Sequence, residues 1–250
     1  MSASLLSVKI RHRIGLVPLD VDFALTQPWT VLFGPSGSGK TTILRTIAGF
    51  VQPAEGRISL GQKMLVDCSQ GLFLPPHRRA VRSASQMAWL FPHLTTQHNV
   101  LYGSGWSSKP TDEAQLVEEV LSLFRLRHLS ARMPRDLSGG EKQRVSVARA
   151  VFSVVTFYAR GRGLLLLDEP FSGSDSALRD ELLIELKEWL VRWKIPVLSV
   201  THDVGEAFQL GAEVIKIADG KVVAQEQASV VLAEERRLLI EQLGPGEFRD

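Results

Sequence analysis

Residues 34–41 read GPSGSGKT, and no other stretch of the chain is so plainly built for chemistry. The spacing G-x-x-x-x-G-K-[ST] suits a loop that wraps phosphate. Gly34, Gly37 and Gly39 let backbone amides turn inward, with Pro35, Ser36 and Ser38 between them. Such amides form an anion-binding nest, and a helix starting there adds its positive end. Lys40 supplies a point charge for β- and γ-phosphates, Thr41 an oxygen for Mg²⁺, and Thr42 continues the helix start. The bland alternative is a glycine-rich turn with an exposed lysine. From average residue usage, a chance match in a chain of this length has a probability on the order of one per cent.

Two further motifs carry charge or anion-binding geometry. Residues 164–169, LLLLDE, read as a buried strand ending in two carboxylates. Ligands of α/β sheets sit at the carboxyl ends of strands. There Asp168 can hold Mg²⁺ through water, and Glu169 can polarise an attacking water. Residues 137–144, LSGGEKQR, open a helix. Ser138, Gly139 and Gly140 give it an uncluttered N-terminus, a second anion site, with Glu141 following. A solvated acidic turn and a plain helix cap are the competing readings of these two segments.

The elements that must position these groups alternate between strand and helix. Short β-rich runs at 5–10 and 21–25 precede a continuous apolar run at 29–33, which reads as a buried strand. A helix over 40–50 follows the glycine loop. Short strands and turns fill 53–76, with an edge hairpin at 56–61. Helices are expected at 112–127, 138–155, 176–193 and 204–211, and buried strands at 163–168 and 195–200. A hairpin turns at Asp219-Gly220, a helix covers 228–243, and 244–250 reads as a frayed end. Strand, glycine loop and helix begin an α/β fold.

Composition narrows the class. Twenty-nine Lys and Arg against 27 Asp and Glu leave a net charge of +2, which argues against a nucleic-acid coat. A 44% hydrophobic, 22% charged chain is an ordinary globular one rather than a disordered one. One cysteine, Cys68, cannot make an intramolecular disulfide or a Cys-rich zinc site. The longest uncharged apolar run, 150–159, is about half of the ~20 residues a membrane span needs. No secretory leader is visible in residues 1–13. The expectation is a cytosolic chain whose membrane association goes through partners.

The three motifs, in this order, resemble those of the ATP-binding subunits of ABC transporters, and the resemblance runs from about residue 5 to 224. It implies a P-loop NTPase core, a RecA-like mixed sheet with flanking helices, joined to an antiparallel β subdomain and an α-helical signature subdomain. It also implies ATP and Mg²⁺ as ligands. Gln86, followed by Leu90-Phe91-Pro92-His93, looks like the loop glutamine that touches the metal and faces the membrane subunits. His202 in Thr201-His202-Asp203 resembles the switch histidine near the γ-phosphate, and Ser174-Asp175 the end of a loop that crosses a dimer interface. Metal contacts are then expected from Thr41, Gln86 and Asp168, and catalytic roles for Glu169, His202, Lys40 and Gln86. Residues 73–79 and 90–94 look most like the molybdate-import type. The implied partners are a second copy of the chain, two integral membrane permease subunits and, indirectly, a periplasmic solute-binding protein. Nucleic acid is not among them. The implied location is the cytoplasmic side of the inner membrane.

The domain expected is 1–227, with a core over about 1–85 and 160–227, a helical lobe over about 86–159, and a short tail at 228–250. Several segments depart from the family pattern. Arg11-His12-Arg13 stands where an aromatic residue usually stacks on adenine, so His12 or an arginine plane takes that place. Residues 81–85 are polar for a buried strand, Ser172-Gly173-Ser174-Asp175 replaces Ser-Ala-Leu-Asp, and the linker at 153–162 is long. The chain also ends before the regulatory β-domain that many such importers carry, so regulation through one is not expected. Rival readings are a soluble, non-transport ABC ATPase and a binding module with a degenerate site. The missing second cassette and basic stripe argue against the first, and the filled catalytic positions against the second.

Overall fold

The computed structural model of the chain describes residues 5–14, 17–102, 110–157, 163–173 and 175–243. Ser174, the end of the long linker at 158–162 and the tail at 244–250 lie outside the described residues. An antiparallel hairpin opens the fold, with β1 (Leu6–Ile14) and β2 (Val17–Leu25) paired from Leu6↔Leu25 to Ile14↔Val17. Both strands outrun the short runs expected. Leu6, Val8 and Ile10 face inward with Leu19, Val21 and Phe23, and the outward residues pair as Lys9–Asp22 (2.7 Å) and Arg11–Asp20 (3.2 Å). That is the alternation of a half-solvated antiparallel sheet.

β3 (Trp29–Phe33) is buried at all five positions and leads through the glycine loop into α1 (Lys40–Ala48). β4 (Glu55–Leu60), β5 (Lys63–Asp67) and the two-residue β6 (Leu72–Phe73) complete an antiparallel lobe. Residues 56–61, expected as an edge hairpin, lie mostly in β4, an interior strand held between β1 and β5. The edge is taken by β6 instead.

β7 (Val81–Ala84) explains the polar segment before Gln86: it is the outermost strand at the other edge, with Ser83 facing solvent. A helical region follows, with α2 (Thr96–Leu101), α3 (Pro110–Leu123) and α4 (Gly139–Phe157). The chain returns to the sheet with β8 (Leu164–Asp168), α5 (Ser176–Val191), β9 (Val197–Thr201) and α6 (Val204–Gln209). β10 (Glu213–Ala218) and β11 (Lys221–Gln227) form the expected hairpin, which ends in α7 (Ala228–Val231) and α8 (Ala233–Leu243). The single helix expected over 228–243 is broken at Leu232. Its side chain is fully buried in the core, and the backbone turns out of helical geometry there (φ −110°) while α8 stays largely exposed.

Among the described residues, eleven strands form one sheet, in the order β6-β5-β4-β1-β2-β11-β10-β3-β9-β8-β7. One parallel residue pair, Lys221↔Asp20, joins the antiparallel lobe to the parallel half. Both faces of the parallel strands are covered, which is why they read as unbroken apolar runs. Leu165 and Leu167 pack with Val147, Phe152 and Leu186 on the helical side. Leu164, Leu166 and Leu198 pack with Ile43 and Ile47 of α1 on the other.

α1 has an unusual seal at its C-terminal end. Arg79 is fully buried, and its Nη1 donates to the Thr46 and Ile47 carbonyls, both at 2.8 Å. Its Nε donates to Leu74 O at 2.7 Å, and the guanidinium lies over the Phe73 ring. Burial pulls its pKa down to about 10. Helix C-termini leave carbonyls without partners and carry negative partial charge, so a cation is favoured there. Gly49 makes room for it: a Cβ at that position would lie 2.6 Å from the arginine Nε.

Candidate functional site

Four parallel strands deliver chemistry at their carboxyl ends. β3 leads into the glycine loop, β7 into Gln86, β8 ends at Asp168 and β9 at Thr201, just before His202. A cleft of about 330 Å³ lies there, lined by Ser36, Gly37, Lys40, Thr41, Gln86 and Glu169 among others. Gly34 is demanded by close approach, since a Cβ would stand 2.2 Å from the Ile217 carbonyl oxygen. Gly39 caps α1 with no side chain, so nothing from the cap covers the amides of the first turn. Ser38 Oγ is buried without a hydrogen-bond partner.

Lys40 folds back on the loop and donates to the carbonyls of Gly34 (2.7 Å) and Pro35 (2.8 Å). Burial lowers its pKa, opposed by Glu169 and Asp168. Asp168 is held the other way: burial raises its pKa and Glu169 adds to this, while the Thr41 hydroxyl and Lys40 pull it down. Thr41 and Asp168 therefore form a hydrogen-bonded oxygen pair at the mouth of the loop. Such a pair suits a hard cation that keeps most of its ligands from water and phosphate. Among the described residues, no cluster of three or more His, Cys, Asp and Glu could hold a metal by itself. Gln86 faces the same mouth.

Glu169 is the junction of the site. Gln86 Nε2 donates to its Oε2 at 2.9 Å, and His202 Nδ1 lies 3.0 Å from its Oε1. An ionised carboxylate only accepts, so the proton of that contact sits on Nδ1. The backbone of Glu169 is left-handed (φ 48°), and its amide donates to Val200 O at 3.1 Å. A non-glycine residue in that region costs on the order of 1 kcal/mol and persists where its surroundings fix it, commonly at functional sites. The carboxylate is thus aimed at the cleft by three elements at once.

The signature segment lies elsewhere on the molecule. Ser138, Gly139, Gly140 and Glu141 do not line this cleft. The helix start is also less open than expected. Ser138 N donates to Glu141 Oε2 at 2.7 Å and Glu141 N to Ser138 Oγ at 3.3 Å, a reciprocal capping box. The Ser138 amide holds the Glu141 pKa down. Gly139 stands in open space, with nothing within 4 Å of a Cβ built on it. Farther along, α4 does reach the site's border: Gln143 Nε2 donates to Ser85 O at 3.0 Å, beside Gln86, and Arg149 lines a hollow with Thr41, Gln86 and Asp168. His12 sits on β1 opposite Leu19, whose side chain approaches Gly39, so it is on the face of the hairpin toward the loop. It does not line the cleft either, and its Nδ1 is buried without a partner.

Several residues around the site are not marked by the motifs. Arg179 and Glu206 meet it only through folding, and Gln143 and Asp203 stand inside quoted motifs that give them no role there. A second surface lies beside Gln86. A cleft of about 530 Å³ is lined by Arg82, Trp89, Phe91, Tyr102, Arg149 and Phe157 among others. Trp89 is 69% exposed and Met87 beside it 65%. Among the described residues, no helix is long and apolar enough to cross a membrane.

Comparison with known proteins fits this geometry. The model of the family described as ABC transporter matches residues 19–172. A protein of Mesorhizobium japonicum named Molybdenum import ATP-binding protein ModC is 38% identical over 239 residues, covering 96% of this chain and 62% of its own length. One of the same name from Brucella abortus is 36% identical over 224 residues, covering 90% and 60%. The chain thus spans about three fifths of the length of these relatives. Among solved structures, an ATP-binding cassette in a dimeric post-hydrolysis state with ADP and phosphate superposes with a TM-score of 0.71 at 24% identity, over 89% of this chain and 98% of that one. cbiO1 of Clostridium perfringens, described as part of an ABC transporter complex, gives 0.75 at 22%, over 98% and 96%.

Proposed function

Since the chain belongs to the ABC transporter family, we propose that it is the ATP-hydrolysing subunit of an importer, working as a pair of copies with ATP between them. The solute carried by its membrane partners is molybdate or a related oxyanion. The observation that carries the enzymatic reading is the Glu169 carboxylate, held by Gln86 and His202 at the mouth of a phosphate loop. The names of the relatives support the solute, which never touches this chain.

The geometry supports a division of labour. The loop amides of 34–39 and the first turn of α1 receive the phosphates, and Lys40 leaves its own loop carbonyls to meet them. Thr41, Asp168 and Gln86 would hold Mg²⁺, which supplies positive charge against the phosphate oxygens when bound. Glu169 orients the attacking water and draws on its proton. His202 holds the carboxylate and reaches the phosphate edge. His12, on the hairpin face toward the loop, is assigned to the base. Because Ser138 to Gly140 do not line the cleft, they are assigned to the ATP of the second copy, whose phosphate displaces the Glu141 carboxylate from the cap.

The core over about 1–85 and 160–227 is then the nucleotide-binding unit, and the lobe over about 86–159 the transporter-facing one. The aromatic cleft beside Gln86 is where a permease subunit would dock, on the cytoplasmic face of the inner membrane. A periplasmic binding protein would choose the solute. Closing and opening of the pair would drive the permeases between their two states.

Glu169→Gln tests this reading. The variant loses the carboxylate, and its single acceptor and single donor group keep both contacts once the Gln86 amide turns its oxygen toward the new Nε2. It should bind Mg-ATP, hydrolyse it very slowly, and run as a dimer in size-exclusion chromatography with ATP and as a monomer with ADP. Adding Gly139→Arg, in open space in the single chain, should abolish the dimer without unfolding it. A variant that stays monomeric at saturating ATP would count against the shared site. Cells carrying it should lose molybdate uptake; unchanged uptake would overturn the assignment of solute.

A further inference from the structure

We propose that Arg179, on α5, is a positioning residue for hydrolysis: it sets where His202 stands against Glu169, and so links the loop after Glu169 to the catalytic carboxylate. The inference rests on the reading of Glu169 and His202 given above. Ser172 N donates back to Glu169 O at 3.3 Å, so residues 169–172 form a turn. That turn leads to Asp175, whose side chain caps α5 by accepting from Ala177 N (3.0 Å) and Leu178 N (3.3 Å). One turn into α5, Arg179 Nη2 meets Asp203 Oδ2 at 2.7 Å. The other oxygen of Asp203 accepts from Glu206 N at 3.1 Å and caps α6. Asp203 N donates to Thr201 Oγ1 at 3.0 Å, and Thr201 Oγ1 to Glu206 Oε2 at 2.9 Å.

His202 therefore sits between two residues that are each fixed twice, and its ring closes the circle on Glu169. Besides the backbone bond from Glu169 N to Val200 O, the ring of contacts has two side-chain joints between its halves, Glu169–His202 and Arg179–Asp203. Arg179 is also the cation among three carboxylates, those of Asp203, Asp180 and Glu206. Without it Asp203 keeps its helix cap and its bond to Thr201 but loses the contact that ties it to α5 and offsets the neighbouring Asp180 charge. Ser172, Gly173 and Asp175 are the exposed part of the circle. A second copy pressing on them would move the start of α5 and, through Arg179, the histidine.

The test uses the full chain and Mg-ATP, with kcat, KM and thermal unfolding measured on each variant. Arg179→Met should lower kcat by about tenfold or more with KM changed by less than about twofold, because the contact acts on the chemical step. Arg179→Lys should recover most of the rate. Asp203→Asn keeps the helix cap, since Asn caps as well as Asp, but loses the charge; it should lower kcat similarly. The Arg179→Met/Asp203→Asn double variant should be no slower than the slower single one, as expected of two groups acting through one contact. If Arg179→Met is too unstable to assay, Asp203→Asn decides alone. Folded variants with kcat within about twofold of wild type, or rate losses that multiply in the double variant, would overturn the proposal. A wild-type chain without ATPase activity would instead overturn the proposed function.

Discussion

Glu206→Gln should reverse the order of stability between acid and alkaline solution. Glu206 is 5% exposed. Thr201 donates to its Oε2, and its Oε1 is buried without a partner. Burial raises its pKa from 4.5 to about 7; the Thr201 hydroxyl and Arg179 pull it down, and Asp203 and Asp180 push it up. In the unfolded chain the carboxyl loses its proton near 4.5, and in the fold it keeps it to about 7. Between those values the folded state binds the extra proton. The contribution is therefore fully present below about 4.5 and is lost as the pH rises through about 7. At about 1.36 kcal/mol per pH unit, that interval is worth about 3 kcal/mol. The substituted glutamine is neutral at every pH and keeps an acceptor for Thr201, but its amide leaves a buried donor unmatched, at a cost of ~1 kcal/mol. Urea unfolding at pH 4, 5, 6, 7 and 8, at constant salt, should show wild type ahead by ~1 kcal/mol at pH 4, the two about level near pH 5, and the variant ahead by ~2 kcal/mol at pH 8. Parallel pH profiles for the two proteins would refute the argument, because the wild-type slope would then come from other groups.

Arg79→Met should cost ~3 kcal/mol in urea unfolding, since three carbonyls lose a charged donor while burial of the charge is relieved; a cost under about 1 kcal/mol would refute the capping role. Gly173→Ala should be tolerated or stabilising by about 0.5 kcal/mol, because the new Cβ would lie 3.8 Å from Gly140, an ordinary contact; clear destabilisation would show strain in that loop. GTP should be hydrolysed within about tenfold of the ATP rate, since His12 offers less stacking than a large aromatic and one such contact is worth only ~1 kcal/mol. A GTP rate lower by about a thousandfold would reveal another contact to adenine.

β3, β8 and β9 were legible because a strand buried on both faces has nothing but apolar residues to show. β7 was not, because an edge strand turns one side to water, and Ser83 sits on it. α2 went unread for a different reason. It is six residues long, mostly polar, and held by the Asn99 amide reaching Phe91, Leu94 and Thr95 carbonyls, which is tertiary information. The site followed the same division. Lys40, Asp168 and Glu169 sit in motifs whose spacing encodes the function. Arg179 and Asp203 are separated in sequence and joined only by how α5 and α6 pack.

Arg79 gives the phosphate loop a rear anchor. α1 is about 13 Å long, with the phosphate cradle at one end and the buried guanidinium at the other. The same side chain grips Leu74 and Phe73, so β6 is pinned to the far end of that rod. A tug on the phosphates would pass along α1 and reach the β lobe without slack. The helical region meets this edge of the sheet through the amide of Gln143 on Ser85 O and through Arg82 Nε, which donates to Ser153 Oγ at 2.6 Å. A ligand gripping the loop would drag the β lobe as ballast, so the β lobe and the loop would move as one body.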